Sequence, residues 1–418
     1  MKSCIVIGRG IIGLCTAYYL QKEGCKVTVL DQTDMAVSHG GASYVNAGYL
    51  TPSHIISLAA PGMIAKGLKW MFNSRSPFYI KPRLDLDFLR WAWYFKKSAT
   101  AQKVERAIPI IKDINVMSKE LYDGLKSSGD LGDFQLEHIG LLMLYKNEAV
   151  GEAERKVAAK VKEMGLSVKN LTVKELVQLE PNLSDDIKGA IHYECDSHTT
   201  PNVIMKNLQD YLVKNDVKII PNSSVKSFKT NGNKVATVET EKKNYAADEI
   251  IIASGAWSKY LTKYLGIKIP LEAGKGYSLN VYKPLEINYP AILMESKVAV
   301  TPMQGFTRFA GTMEFSGINH TIRKERVFTI KAAAESYYQN LKISEEAVAN
   351  VKCGLRPVSP DGLPYIGRLN GFENVTLATG HAMMGWSLGP ATGKLVTEII
   401  TGKKLSMDLT PFNPNRKF

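Results

Sequence analysis

The stretch that most constrains this chain is SCIVIGRGIIGLCTAYYLQKEGCKVTVLD, residues 3–31. It reads as strand, tight turn, helix and second strand. Cys4 to Ile7 is a short apolar run rich in β-formers, and Gly8, Gly10 and Gly13 give G-x-G-x-x-G. Ile11 to Lys22 then carries helical apolar spacing, and KVTVLD alternates before ending in Asp31. Each part has a mechanical role. Gly8 permits the sharp turn, and Gly10 has no side chain to hold a pyrophosphate away from the backbone. Gly13 lets helix and strand pack closely, and the helix N-terminus faces the phosphates. A carboxylate at the end of the second strand accepts from a ribose hydroxyl. We therefore expect a dinucleotide site. Arg9, between the first two glycines, is expected to lie along the surface.

The motif does not choose between FAD and NAD; the following residues do. A nicotinamide dehydrogenase continues with further βα units. This chain instead enters TDMAVSHGGASYVNAGYLTPS and then a long helical region, and no second dinucleotide fingerprint follows. A bound flavin would thus have to be reduced by the substrate itself. Further on, ADEIIIASGAWSKYLTKYLG reads as buried strand, glycine turn at Gly255 and helix. Residues 275–315 alternate as an antiparallel sheet. NVTLATGHAMMGWSLGPATGKLVTEIITGK is strand, glycine-rich turn and a helix starting near Gly389-Pro390. Nucleotide-type turns so far apart share one ligand only if the nucleotide domain is discontinuous, with a second domain inserted between its pieces.

The 418 residues exceed what one simple core needs, so two domains are expected. The first twenty residues have the outline of a signal peptide, but glycines interrupt the apolar run and a strand follows, so none is expected. No apolar run is long enough for a membrane span. The five cysteines are scattered without CxxC spacing, which argues against a zinc site or a disulfide framework and fits a reducing cytoplasm. The net charge of +13 is concentrated. Within residues 54–103 stand Lys66, Lys69, Arg75, Lys81, Arg83, Arg90, Lys96, Lys97 and Lys103 against Asp85 and Asp87, a net +7, along with Trp70, Trp91 and Trp93. Two readings stay open for this region: docking on an anionic membrane surface, or a helical segment packing Trp91 and Trp93 into its own core or a subunit interface. No nucleic-acid-binding motif appears, so a non-redox nucleotide-binding or nucleic-acid-binding protein is the remote alternative.

Four stretches together resemble the D-amino acid oxidase-like flavoproteins: VIGRGIIGLCTAYYL; ASYVNAGYLTPSHIISLAAPG; KGYSLNV with RFAGTMEF; and RPVSPDGLPYIG with TGHAMMGWSLGPATGKLV. Within that superfamily the small, flavin-carrying subunit type of bacterial D-amino acid dehydrogenase is the nearest in pattern. Glycine oxidases, sarcosine oxidases and hydroxyproline dehydrogenases share most of it. The resemblance implies an α/β fold: a discontinuous Rossmann-like FAD-binding domain (1–53, 195–265 and 352–418) with an inserted α+β substrate domain (54–194 and 266–351) containing an antiparallel sheet. It implies two-electron oxidation of an amino acid, with hydride passing from Cα to flavin N5 and the imine hydrolysing to a 2-oxo acid and ammonia. The electron acceptor stays open between a membrane quinone and oxygen, as does oligomeric state.

The resemblance also assigns residues. Arg356, in LRPVSPDG, is expected to pair with the substrate carboxylate, for which a guanidinium offers a rigid two-pronged fork. Tyr277 is expected to line the substrate pocket, with a core tyrosine as the competing reading. Arg308 is expected to form a structural salt bridge rather than a second anionic contact. Around FAD the expected set is Gly8, Gly10, Ile12, Gly13, Asp31, Asn46, Gly48, Val225, Gly255, Gly362, Gly380, His381, Met384 and Gly385. His381 is expected to pack near the flavin rather than do acid–base work, and His39 and His54 to be incidental. Some relatives attach FAD through a cysteine just before the Pro-Asp turn. Here that position is Gly354, with Cys353 one residue away, so non-covalent FAD is expected.

Overall fold

A computed structural model describes residues 1–35, 40–62 and 76–418. His39, Lys66, Lys69, Trp70 and Arg75, singled out above, lie outside the described residues. Among the described residues the first sheet has six strands, in the order Lys218–Ile220, Lys26–Leu30, Ser3–Ile7, Glu249–Ile252, Val375–Thr379 and Tyr365–Arg368. The first five run parallel and the last is an antiparallel edge. Packed on both faces, the inner strands are buried at every position of CIVI, EIII and VTLAT rather than at alternate ones. One face is covered by the helices Ile11–Lys22, Pro201–Lys214 and Gly389–Thr401, whose apolar sides merge into one core cluster. The helix Gly389–Thr401 comes unusually close to the first helix. A side chain at Gly393 would stand 2.6 Å from the Cys15 carbonyl carbon.

The second sheet is mixed. Its central run is Lys352–Val358, Glu272–Val281, Phe306–Phe315, Val298–Met303 and Ala291–Leu293, all antiparallel to their neighbours. It then continues parallel into Leu141–Tyr145, which pairs antiparallel with Gly189–Tyr193. The strand Lys352–Val358, grouped by sequence with the nucleotide domain, pairs in this second sheet. The chain crosses to the parallel sheet only after the Pro360-Asp361-Gly362 turn.

The helix Leu86–Ser98 starts at Asp85, whose carboxylate accepts from the backbone N–H groups of Asp87 and Phe88. The long helix Ala101–Ser128 starts at Thr100 and stops at Gly129, which takes the left-handed conformation at φ 71°. Trp91 and Trp93 part company. Trp91 is buried, packs on Phe88 and Phe315, and donates from Nε1 to the Val358 carbonyl at 2.9 Å. Trp93 is 57% exposed, and Leu84, Leu86 and Leu89 are exposed near it on the same helix or just before it. No helix among the described residues is long and apolar enough to cross a membrane.

Candidate active site

A cavity of about 670 Å³ runs from the first glycine turn, past the carboxyl ends of the parallel strands, to the Arg356 end of the mixed sheet. Its nucleotide end follows from local geometry. Gly8 sits at φ 115°, and a side chain there would meet the Ala253 carbonyl oxygen at 2.5 Å. A side chain at Gly10 would meet only Ser43 Oγ, at 3.3 Å, so that position opens onto the cavity. Asp31 lines the wall and is held in place: Oδ2 accepts from the Arg9 N–H at 2.7 Å, and Oδ1 accepts from the N–H and hydroxyl of Thr33. The carboxylate thus stands firmly oriented on the cavity wall.

Arg9 does not lie along the surface. It is 4% exposed, and Nη1 donates to Gln209 Oε1 at 2.6 Å while Nη2 donates to the Asp34 carbonyl at 2.7 Å. Gln209 in turn donates to the Tyr44 hydroxyl at 2.6 Å, so Arg9 ties the second strand's exit to the segment carrying Ser43 and Tyr44. Its side-chain partners lie about 25 residues on, at Asp34, and 200 residues on, at Gln209, and no local pattern in the sequence marks either.

Gly8, Gly10, Ile12, Asp31, Asn46, Val225, Gly255, His381, Gly385 and Arg356 line the cavity together. Gly13, Gly48, Gly362, Gly380, Met384 and Tyr277 stand outside its lining. Gly13 serves packing, since a side chain there would overlap the Gly8 carbonyl oxygen at 1.9 Å. Gly48 and Gly380 are likewise shielded, a side chain at each meeting the Thr199 carbonyl at 2.2 Å and the Tyr365 ring at 2.8 Å. Gly362 shapes its turn at φ 79°. Met384 is buried in the helical core, beside Asn115. Tyr277 is a core tyrosine: 1% exposed, it donates to Glu314 Oε2 at 2.7 Å. Glu314 also pairs with Lys275 at 3.1 Å.

Arg356 is the cavity's distinctive group. Among the described residues it has no carboxylate partner; Nη1 donates to the Thr312 carbonyl at 3.0 Å. Desolvation lowers its pKa to about 10, so the guanidinium stays charged at neutral pH, and the half-buried side chain lines the cavity. The floor beneath it is Gly276, where a side chain would stand 2.1 Å from Nη1. The neighbouring strand helps. Its register shifts opposite Lys275 and Tyr277, and Thr312 within that bulge sits at φ 67°, uncommon for a β-branched residue. That strained residue supplies the carbonyl that holds Arg356.

His381 is 1% exposed, and its Nε2 shares a hydrogen bond of 2.9 Å with Thr392 Oγ1 at the start of the last helix. Its Nδ1 has no partner among the described residues, and burial lowers its pKa to about 3, which keeps the ring neutral. A buried nitrogen left over on a cavity wall is what a bound polar group would satisfy. Together with the open face at Gly10 and the fixed carboxylate of Asp31, it makes the cavity fit a flavin dinucleotide. Cys353 lies outside the lining, buried with Sγ directed at the His320 carbonyl at 3.6 Å. Sequence reasoning missed Ser43, whose Oγ accepts the Ile11 N–H at 3.0 Å, and also Trp257 and His320, which stack at 6.3 Å on the cavity wall. The glycine of KGYSLN was a visible signal for Gly276; nothing local marked the others.

The family model for FAD dependent oxidoreductases matches residues 3–399. The chain belongs to that family. The oxidoreductase is 30% identical over 406 residues to a D-amino acid dehydrogenase of Vibrio vulnificus, covering 96% of each chain. It is 30% identical over 400 residues to a D-amino acid dehydrogenase of Helicobacter pylori, covering 95% of this chain and 94% of that one. Among solved structures it superposes on a glycine oxidase from Geobacillus kaustophilus with a TM-score of 0.79 at 19% identity, over 100% of both chains. An L-proline dehydrogenase from P. horikoshii gives 0.73 at 19% identity, over 99% of this chain and 96% of that one. The shared fold includes a Rossmann-like parallel sheet.

Proposed function

We propose that this oxidoreductase oxidises a D-amino acid to the corresponding 2-oxo acid and ammonia, using non-covalently held FAD. The observation that carries the reading is Arg356: a half-buried, desolvated cation without a carboxylate partner among the described residues, lining the cavity that fits the dinucleotide. The stereochemistry rests on the named relatives in Vibrio vulnificus and Helicobacter pylori. In this reading Gly10 admits the pyrophosphate, Asp31 accepts from the ribose, and Val225 and Gly255 border the nucleotide. FAD, when bound, supplies the two-electron acceptor. Arg356 binds the substrate carboxylate by its fork and thereby aims the Cα–H bond. No strong base is required if the amine enters neutral, and the neutral, buried His381 is suited to packing and hydrogen bonding rather than proton removal. The parallel-sheet segments form the cofactor domain and the mixed sheet the substrate domain.

Anaerobic mixing of the yellow protein with single amino acids tests the reading, since flavin bleaching names the substrate. Arg356→Ala should lower kcat/KM by about 30- to 5,000-fold, the equivalent of about 2–5 kcal/mol for one partner of a buried charge pair. Arg356→Lys should recover little, because an ammonium has no fork. A yellow protein bleached by none of the D-amino acids, or an Arg356→Ala variant as active as the parent, sinks the proposal.

A quinone acceptor is the second part of the reading. It is supported by the exposed Trp93, Leu84, Leu86 and Leu89 next to Arg90, Lys96 and Lys97, the composition of a lipid-facing helix at an anionic surface. Sedimentation with anionic vesicles at low and high salt tests it. Absence of salt-sensitive binding together with fast oxygen consumption favours an oxygen-using oxidase instead.

A further inference from the structure

A second cavity, of about 400 Å³, lies on the same face of the mixed sheet as Arg356 but at the other end of its strands. Register sets the separation. Arg356 is opposite Gly274, and Arg308 in the second cavity is opposite Asn280 on that same strand. Six residues of strand span about 20 Å, too far for one small substrate to bridge.

The lining of this cavity is cationic and polar: Arg308, Lys283 and Lys352, with Ser278 and Asn280, against the single carboxylate Glu346. Arg308 is 2% exposed and, contrary to the sequence expectation, forms no salt bridge among the described residues. It donates Nε to Asn280 Oδ1 at 2.9 Å, Nη1 to the carbonyls of Tyr44 at 3.0 Å and Asn46 at 2.7 Å, and Nη2 to Asn202 Oδ1 at 3.4 Å. All four acceptors are neutral. One of the five guanidinium N–H groups is left over. Neither Lys283 nor Lys352 forms an ion pair among the described residues, and both are exposed at the rim. A buried, uncompensated cation is costly unless an anion joins it.

From this geometry we infer that the cavity around Arg308, Lys283 and Lys352 is a binding site for a small oxyanion carrying two or more negative charges, of the phosphate class. The site is distinct from the Arg356 end of the first cavity, while Tyr44 lines both cavities and joins them mechanically. Arg308 grips the carbonyls of Tyr44 and Asn46, and both of these residues line the cofactor cavity. A bound oxyanion therefore acts on the wall that contacts the cofactor.

The test uses the full-length, FAD-loaded protein and inorganic phosphate as probe, titrated calorimetrically at constant ionic strength with chloride as the exchanging salt. We expect saturable one-to-one binding accompanied by a flavin difference spectrum. The double variant Lys283→Gln/Lys352→Gln, altered only at exposed side chains, should bind phosphate at least tenfold more weakly while turning over amino acid at the parent rate in phosphate-free buffer. A response that chloride reproduces, or equal phosphate affinity in parent and variant, overturns the inference. Pyruvate serves as the second arm: its binding should be unchanged in the double variant, and a loss equal to that of phosphate would make this a 2-oxo acid site instead. None of these outcomes bears on the role of Arg356, because neither lysine lines its cavity.

Discussion

Gly276→Ala separates the presence of the Arg356 charge from its position. The new methyl would stand 2.1 Å from Nη1 and 2.5 Å from both Cζ and Nη2. Normal contact needs about 3.5 Å, so the guanidinium must withdraw by about 1–1.5 Å. The obstacle is the far end of a flexible side chain, and Gly276 does not use the left-handed backbone region, so the fold should accept alanine. A misplacement of about 1 Å at a reacting centre costs about 100-fold in rate, or about 2.7 kcal/mol. We therefore expect kcat/KM on the best amino acid to fall about 100-fold, with Tm unchanged or slightly raised and the flavin fully bound. The assay is a double-mutant cycle with Arg356→Ala, measured with substrate and with the matching amine that lacks a carboxylate. In the Arg356→Ala background, Gly276→Ala should add less than about a twofold effect, because no guanidinium remains to be displaced. Independent, multiplicative losses would refute the idea that Gly276 acts through Arg356. So would a Gly276→Ala enzyme as active as the parent.

Three further outcomes are expected. Gly10→Val should fold but purify colourless, since its side chain projects into the cavity past Ser43; absorbance at the flavin bands checks this. Asp196 is buried without an ion pair among the described residues and accepts only from Ser53 and Cys195, and burial raises its pKa to about 7. The unfolded carboxyl loses its proton near pH 4 and the folded one near pH 7, so its contribution to stability falls as pH rises through that window. Asp196→Asn should therefore raise Tm relative to the parent more at pH 8 than at pH 5, by the equivalent of about 1–3 kcal/mol, as read from melting curves. Lys96→Glu/Lys97→Glu should weaken sedimentation with anionic vesicles at least tenfold without changing turnover in solution.

How much was legible in the sequence depended on range. The first turn was readable because all its parts lie within thirty residues and each glycine answers a local steric demand. That the parallel sheet draws its strands from distant parts of the chain was readable from glycine turns set far apart in the sequence. The mixed sheet was foreseen only in its antiparallel part; nothing local announces the parallel pairing of Leu141–Tyr145 with Ala291–Leu293. KGYSLN shows a finer limit. Side chains alternate along a strand, so one residue of phase decides whether Tyr277 or its neighbour faces the cavity. The structure turns Tyr277 into the core and sets Gly276 under Arg356. Arg9 and Arg308 show another limit, since their partners are carbonyls and amides, which carry no charge pattern to search for.

The strand order of the parallel sheet also governs when this chain folds. Ser3–Ile7 is made well before one of its neighbours, Glu249–Ile252, and that strand must in turn wait for Val375–Thr379. Such long-range pairings close large loops and are slow to form. The glycine turn therefore forms early with only the strand Lys26–Leu30 beside it, and the sheet and the helical layer around it are completed only when the segment carrying Val375–Thr379 and Gly389–Thr401 has emerged. The same closing segment delivers Arg356 and the edge strand Tyr365–Arg368. A chain cut short before residue 352 thus lacks the arginine and two strands of the sheet at once: it has exposed apolar surface and no partial activity, and it is a substrate for chaperones and proteases rather than a weaker enzyme.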